Sequence, residues 1–217
     1  PDSDPDPQPE TDVDYYAEIS TTTPYNQNFD AIGTAQIANL PIGWKLEKRL
    51  DAPRTLGTFA EASKTTEQLG GNNLASNTKN GTYNFGAGVA GQATDRAIGG
   101  VSTGIAGGTR CINIYTKIKN TGNENIDSLS ITYDIEKYRK GLNAAGFRMQ
   151  LYYSTDGTNW TSAGNNFLTS FPADNATEGY ATAPGEMVHV TAKLNTGIAK
   201  DGFLYLAWNS SVISGAD

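Results

Sequence analysis

"GFRMQLYYSTDGTNWTSAG", residues 146–164, decides the fold. Phe147, Met149, Leu151 and Tyr153 alternate with Arg148, Gln150 and Tyr152, which is the period-2 pattern of a strand with one buried face. Turn formers then crowd around Gly157, where a positive φ costs little, and the chain returns through Trp160. A strand and a tight hairpin are therefore expected, with Trp160 open to two readings. Either its indole folds back over the edge of the domain as an apolar cap that holds the turn, or it is a platform on which a ligand stacks.

The neighbouring segments repeat the pattern. In "CINIYTKIK", 111–119, Ile112, Ile114 and Ile118 alternate with Asn113, Tyr115, Lys117 and Lys119. The Asn- and Gly-rich "NTGNEN", 120–125, reads as a turn, after which Leu129, Ile131, Tyr133 and Ile135 share one parity. Together these predict a hairpin with one wet side. "EMVHVTAKL", 186–194, alternates in the same way, and the unbroken apolar run "FLYLAWN", 203–209, predicts a central strand buried on both faces. Before residue 110 two strands are expected in "TYNFGAG" and "DRAIGG", and residues 46–73 read as a short helical turn or a long irregular loop. No internal repeat is present. The fold class is all-β, an antiparallel sandwich, with residues 13–217 as a single domain.

Composition agrees and removes several function classes. The 217 residues are 37% hydrophobic and 18% charged with 24 glycines, a turn-rich β profile. A net charge of -7 repels a phosphate backbone, so nucleic acid is not an expected partner. The densest basic group, Lys45, Lys48, Arg49 and Arg54, reads as a solvated strand edge that discourages edge-to-edge pairing. Cys111 is the single cysteine, so an internal disulfide is excluded, and it reads as a small buried hydrophobe at a strand start. His189 is the only histidine, which leaves no multi-histidine zinc site and no evident Ser–His–Asp triad. Phosphate-loop and dinucleotide fingerprints are lacking too, and the scattered acids Asp127, Asp134, Glu136, Asp156, Asp174 and Glu178 read as solvated, so no enzyme is expected. No apolar run reaches the length of a membrane-spanning helix. The opening "PDSDPDPQPETD", 1–12, alternates proline with carboxylates and reads as an extended spacer that tethers the module to an anchor or another domain.

The order "NFDAIGTAQIANLPIGWKLEKR", "YNFGAGVAGQATDRAIGGVSTG", a strand pair, "FRMQLYYSTDGTNWTSAG" and "FLYLAWNSSVISGAD" resembles a jelly-roll module of secreted and surface multidomain bacterial proteins, especially of Bacteroidetes type, also found beside extracellular nuclease domains. The resemblance covers about residues 25–217. It is carried by Phe29-Asp30 with Pro41, Gly43 and Trp44, by Asp95 to Gly99, and by the hairpin of Trp160. It implies a jelly-roll-like β-sandwich, displayed outside the cell. Such modules usually continue with a last strand of the type Gly-Leu-Ala-Ile-Asp-Asp, so the expectation is a sandwich lacking that strand within residues 1–217, with an open edge that invites strand addition.

The resemblance further implies recognition of a polysaccharide or surface glycan, by aromatic stacking and hydroxyl hydrogen bonds. Tyr115 and Tyr152, outward by parity, Trp160, and the loop residues Tyr138, Asn175 and Tyr180 are the candidates for such a site. The other reading of these tyrosines is the ordinary surface scatter common on extracellular β proteins. The alternative function is structural: an assembly or adhesin-type subunit that associates with a neighbouring surface protein, or with itself, by strand donation. A structural calcium ion near the sheet rim is also implied, with Asp30, Asp95 and Asp217 as ligand candidates and no catalytic role.

Overall fold

The computed structural model describes residues 12–143 and 145–212. Fourteen strands are formed there: β1 (Ala17–Ile19), β2 (Trp44–Arg49), β3 (Gln68–Gly70), β4 (Gly81–Gly86), β5 (Arg96–Val101), β6 (Cys111–Asn120), β7 (Leu129–Lys137), β8 (Arg139–Gly141), β9 (Phe147–Ser154), β10 (Thr161–Ser162), β11 (Leu168–Phe171), β12 (Thr177–Gly179), β13 (Glu186–Leu194) and β14 (Phe203–Val212). Among the described residues helix is confined to three single 3-10 turns, and no helix there is long and apolar enough to cross a membrane. The molecule is all-β, as its composition and alternation predict.

The large sheet is built around β14, which pairs antiparallel with β6 on one side and β9 on the other. This explains the unbroken run at 203–209: side chains of both parities are covered. β1 and β2 lie along the far edge of β6, and β10 and β11 along the far edge of β9. All of these pairs are antiparallel except the short β1–β6 pair, and β3–β4 is likewise parallel.

The second layer faces this sheet in two pieces. One is the antiparallel ribbon β7–β13, paired over its whole length; the other is the small sheet β3–β4–β5. Leu129, Ile135, Val190 and Leu194 of the ribbon and Ile98 of β5 pack onto Ile114, Ile118, Leu151, Leu206 and Trp208 of the large sheet. That shared apolar layer makes the fold a β-sandwich.

The expected hairpin of 111–119 with 129–135 does not form. β6 belongs to the large sheet and β7 to the facing ribbon, and residues 120–125 arch from one layer to the other. Buried Asn120 holds the arch, its amide donating to Glu124 O (2.7 Å) and Ile198 O (3.1 Å) while its Oδ1 accepts the Gly122 N–H (3.0 Å). The physical reason is that both apolar faces are buried best against each other. Alternation names the face to be buried and leaves the partner of each edge open.

The outer face of β6, expected to be wet, is also covered. Residues 50–63 fold across it, so Tyr115 is 0% exposed, donating its hydroxyl to Glu47 Oε2 (2.6 Å) and accepting the Gly57 N–H (3.0 Å). Asn113 and Asn209 hold the same segment through Thr55 O, at 3.0 and 3.1 Å. The expected solvated basic edge is corrected in part: Lys48 is exposed, whereas Lys45 is 2% exposed, pairs with Asp12 and lies over the Phe59 ring (4.6 Å). Asp12, at the end of the expected spacer, is thus tied into the fold, with Lys64 as a second partner (3.1 Å).

Trp160 closes this face. Its ring stacks on Tyr115 (centroids 5.3 Å, interplanar 30°) and its N–H donates to Gly57 O (2.8 Å). The turn that sends it there needs glycine: Gly157 has φ 71°, and a Cβ would meet the Tyr205 ring at 3.0 Å. Trp160→Ala should therefore lower stability by about 3 kcal/mol in urea unfolding, the lower end for a large aromatic because the ring is half-buried.

Asp12 supplies a pH-dependent term. Burial pushes its carboxyl up, but hydrogen bonds and charge from Lys45 and Lys64 win and hold it below the ordinary 3.8. A depressed folded value means stability present above 3.8 and lost as the pH falls through the folded value. Asp12→Asn should lower the melting temperature at neutral pH, by roughly 1–2 kcal/mol of stability after allowing for Asp12's partial exposure. The difference from the parent should shrink well below pH 3.8, read by calorimetry across pH.

Candidate functional site

A groove of about 530 Å³ runs between the two pieces of the second layer. Its walls are consecutive residues, 95–101 of one piece and 129–139 of the other, which is how a groove looks when it runs along strand edges. Among the described residues β5 pairs only with β4, and β7 only with β13, so the edges that face the groove have no strand partner there. The floor is the inner face of the large sheet, including Ile114, Thr116, Ile118, Leu206 and Trp208.

Alternation along β5 identifies the free groups. Ala87 N–H bonds Asp95 O, so residues 95, 97 and 99 face β4, and Arg96, Ile98 and Gly100 turn their backbone groups toward the groove. Asp30 Oδ1 caps the first of these by accepting the Arg96 N–H (2.9 Å). No hydrogen bond is made by the amides of Ile98 and Gly100 on that side among the described residues. The Arg96 side chain points away, into Asn84 (Nε to Oδ1, 2.9 Å), Ala90 O (3.0 Å) and Ala93 O (3.1 Å), and burial pushes its pKa down. It pins the 87–95 loop that leads into the groove edge.

Aromatic rings shape the floor. Trp44 and Trp208 stack at 5.7 Å, Phe29 meets Trp44 edge-on at 4.8 Å, and Tyr133 meets Trp208 edge-on at 5.5 Å. Burial pushes the Tyr133 phenol up to about 12, the neighbouring Trp208 N–H offsetting part of the rise. At the groove margin Glu136 is raised by burial and by the charges of Asp95 and Asp134, against a lowering hydrogen bond from Tyr138 (2.7 Å).

The six expected ligand-binding residues do not form one site: Tyr115, Tyr152 and Trp160 share an outer-face cluster, and Tyr138, Asn175 and Tyr180 lie elsewhere. Tyr115 is buried and already bonded, and Trp160 lies over it. Tyr152 is half-buried in the same outer-face cluster. Tyr138, expected to be exposed, is 4% exposed and stacks on Phe85 (4.5 Å), because a second small core forms around Tyr83, Phe85 and Val101. Tyr180 is half-buried with its hydroxyl on Glu186, and Asn175 is exposed on the loop before β12.

Of the expected calcium ligands, Asp30 and Asp95 come to one end of the groove, while Asp217 lies outside the described residues. Both Asp30 oxygens are engaged, Oδ2 accepting the Asn28 amide (2.7 Å). No group of three or more His, Cys, Asp or Glu side chains placed to hold a metal ion is found among the described residues.

One constellation escaped the sequence. Asp134 Oδ1 lies 2.6 Å from His189 Nδ1, and Thr191 Oγ1 lies 3.1 Å from His189 Nε2, a carboxylate–imidazole–hydroxyl chain across the β7–β13 ribbon. It has the connectivity of a hydrolytic triad, yet it is exposed on the outer side of the ribbon, where cross-strand pairing alone sets it: His189 opposes Asp134, and Thr191 opposes Thr132. The groove floor was easier to find than it looked. Thr116 is the one polar residue on the inward row of Ile112, Ile114 and Ile118.

No protein-family description matches the chain, and no curated protein matches it. Among solved structures it is similar to TmCBM61, solved in complex with beta-1,4-galactotriose, at 10% identity over 87% of either chain and with a TM-score of 0.27. A likeness that distant carries no binding site from one chain to the other.

Proposed function

We propose that the chain is a non-catalytic recognition module, acting outside the cell, whose groove accepts an extended β-strand from another polypeptide. The observation that carries this is the pair of unpaired strand edges lining one groove, β5 on one wall and β7 on the other. An inserted strand completes both hydrogen-bonded ladders at once, at the usual spacing of about 4.8 Å to each neighbour. Its alternate side chains reach the apolar floor, and its other side chains stay in water. A sugar chain fits that floor less well, because it would set hydroxyls against Ile114, Ile118 and Leu206.

The test uses the whole chain and a synthetic nine-residue peptide alternating valine and threonine. Binding should raise the melting temperature, with a gain of about 2.7 kcal/mol at a hundred times Kd. It should also slow hydrogen exchange at the amides of Ile98 and Gly100. The same peptide N-methylated at alternate amides should do neither. Absence of protection at both amides, or equal binding of the methylated peptide, rules out strand insertion. Concentration-dependent oligomers that the peptide dissolves would identify a second copy as one source of the strand.

Glycan recognition is a second reading, favoured by a different surface. Tyr152, half-buried on the outer face, stands beside Arg54 and Arg148, whose guanidiniums make no hydrogen bond or ion pair among the described residues. Arg54 is held there with φ 61°, next to the anchored Thr55. Affinity electrophoresis against neutral and acidic polysaccharides tests it. Tyr152→Ala should abolish any retardation when the gel is run well below the variant's own melting temperature, measured separately by calorimetry. Retardation that survives the substitution removes this surface from consideration.

A further inference from the structure

Three buried polar atoms of the groove make no hydrogen bond: Thr116 Oγ1, Tyr133 Oη and Trp208 Nε1. Thr116 and Trp208 are only 1% and 8% exposed. They are diagonal neighbours on the inner face, since Trp208 opposes Ile114 and Thr116 opposes Leu206, and Tyr133 closes on Trp208 from the facing ribbon. The other two indoles are satisfied, Trp44 by Tyr25 Oη and Trp160 by Gly57 O, both at 2.8 Å. The Trp208 N–H lies near enough to the Tyr133 hydroxyl to lower that phenol's pKa, but no hydrogen bond of good geometry joins them.

All three can donate, and the two hydroxyls can also accept. An indole N–H can only donate, and each hydroxyl has a proton free to donate. Donors gathered in an apolar floor favour an acceptor from outside, because an unpaired buried donor is costly and none of the three is hydrogen-bonded among the described residues. Water can fill that role in the empty groove; an inserted strand that displaces it must replace it.

We propose that Thr116, Tyr133 and Trp208 form an acceptor-binding subsite that reads one inward-facing side chain of the inserted strand, an aspartate or asparagine presenting a carbonyl-type oxygen. The inference rests on the strand-accepting reading and sharpens it: the groove selects a strand by one polar residue among apolar ones. A short side chain is required, because the donors lie at the floor beside the strand's own backbone. Burial disfavours the charged form, as it does at Glu136, so the amide and the acid are separate arms of the test.

Peptides of the alternating series with valine, asparagine or aspartate at the central inward position are titrated into the whole chain. The asparagine or aspartate peptide should bind about tenfold tighter than the valine peptide. That preference, read in each protein as the ratio of its affinities for the asparagine or aspartate peptide and for the valine peptide, should vanish in Thr116→Val and in Trp208→Phe. Thr116→Val is nearly isosteric and keeps the test sound where Trp208→Phe disturbs the stacked pair. In nitrogen-labelled protein the Trp208 indole N–H should exchange faster than those of Trp44 and Trp160 in the free chain, and slow on adding the asparagine or aspartate peptide. Equal affinities across the series, or a preference that persists in both variants, overturn the subsite and leave strand insertion standing. Failure of every peptide to bind overturns both.

Discussion

The stacked pair Trp44–Trp208 is where the parts of this molecule meet. Trp44 comes from β2 and Trp208 from β14, reaching each other across β6, with Phe29 edge-on to the first ring and Tyr133 edge-on to the second. This row joins the segment before β2, the large sheet and the facing ribbon. It also forms the floor of the groove, so the apolar contact that holds the two layers together is the same one that a ligand in the groove would touch. If the groove receives a strand as proposed, stability and recognition would be coupled through these rings.

Faces were legible in the sequence, and edges were not. The parity of Phe147, Met149, Leu151 and Tyr153, the turn at Gly157 and the central place of residues 203–209 all follow from period-2 reasoning, and each is found in the fold. Pairing partners escaped the same reasoning. An Asn- and Gly-rich turn serves a hairpin or an arch equally well, so residues 120–125 could not say whether β7 lies beside β6 or opposite it. The outer face of β6 misled for a related cause. Tyr115, Asn113 and Lys117 look outward by parity, and only segments with no periodicity to read, 50–63 over the first two and the stretch at Asp12 over Lys117, decide that they are covered.

The candidate site was less legible than the fold because it is defined by pairing that does not occur. No residue pattern announces that β5 and β7 leave facing edges free. What the sequence did carry was a single misfit, Thr116 in a row of isoleucines, and it marks the polar spot of the floor. The surface tyrosines drew attention instead, since aromatic residues in turn-rich segments read as exposed. Tyr138 is inside because Phe85, itself stacked on Tyr83, stacks against it from a different sheet.

The geometry of the groove has a mechanical consequence. A strand at the rim of a sheet peels away one hydrogen bond at a time when its end is pulled. A strand seated between β5 and β7 has a neighbour on each side, so a pull along its axis loads both ladders in shear, and many bonds must fail together. Tension between two chains joined this way would be borne by the backbone of the sandwich itself, with the Trp44–Trp208 floor gripping every second side chain.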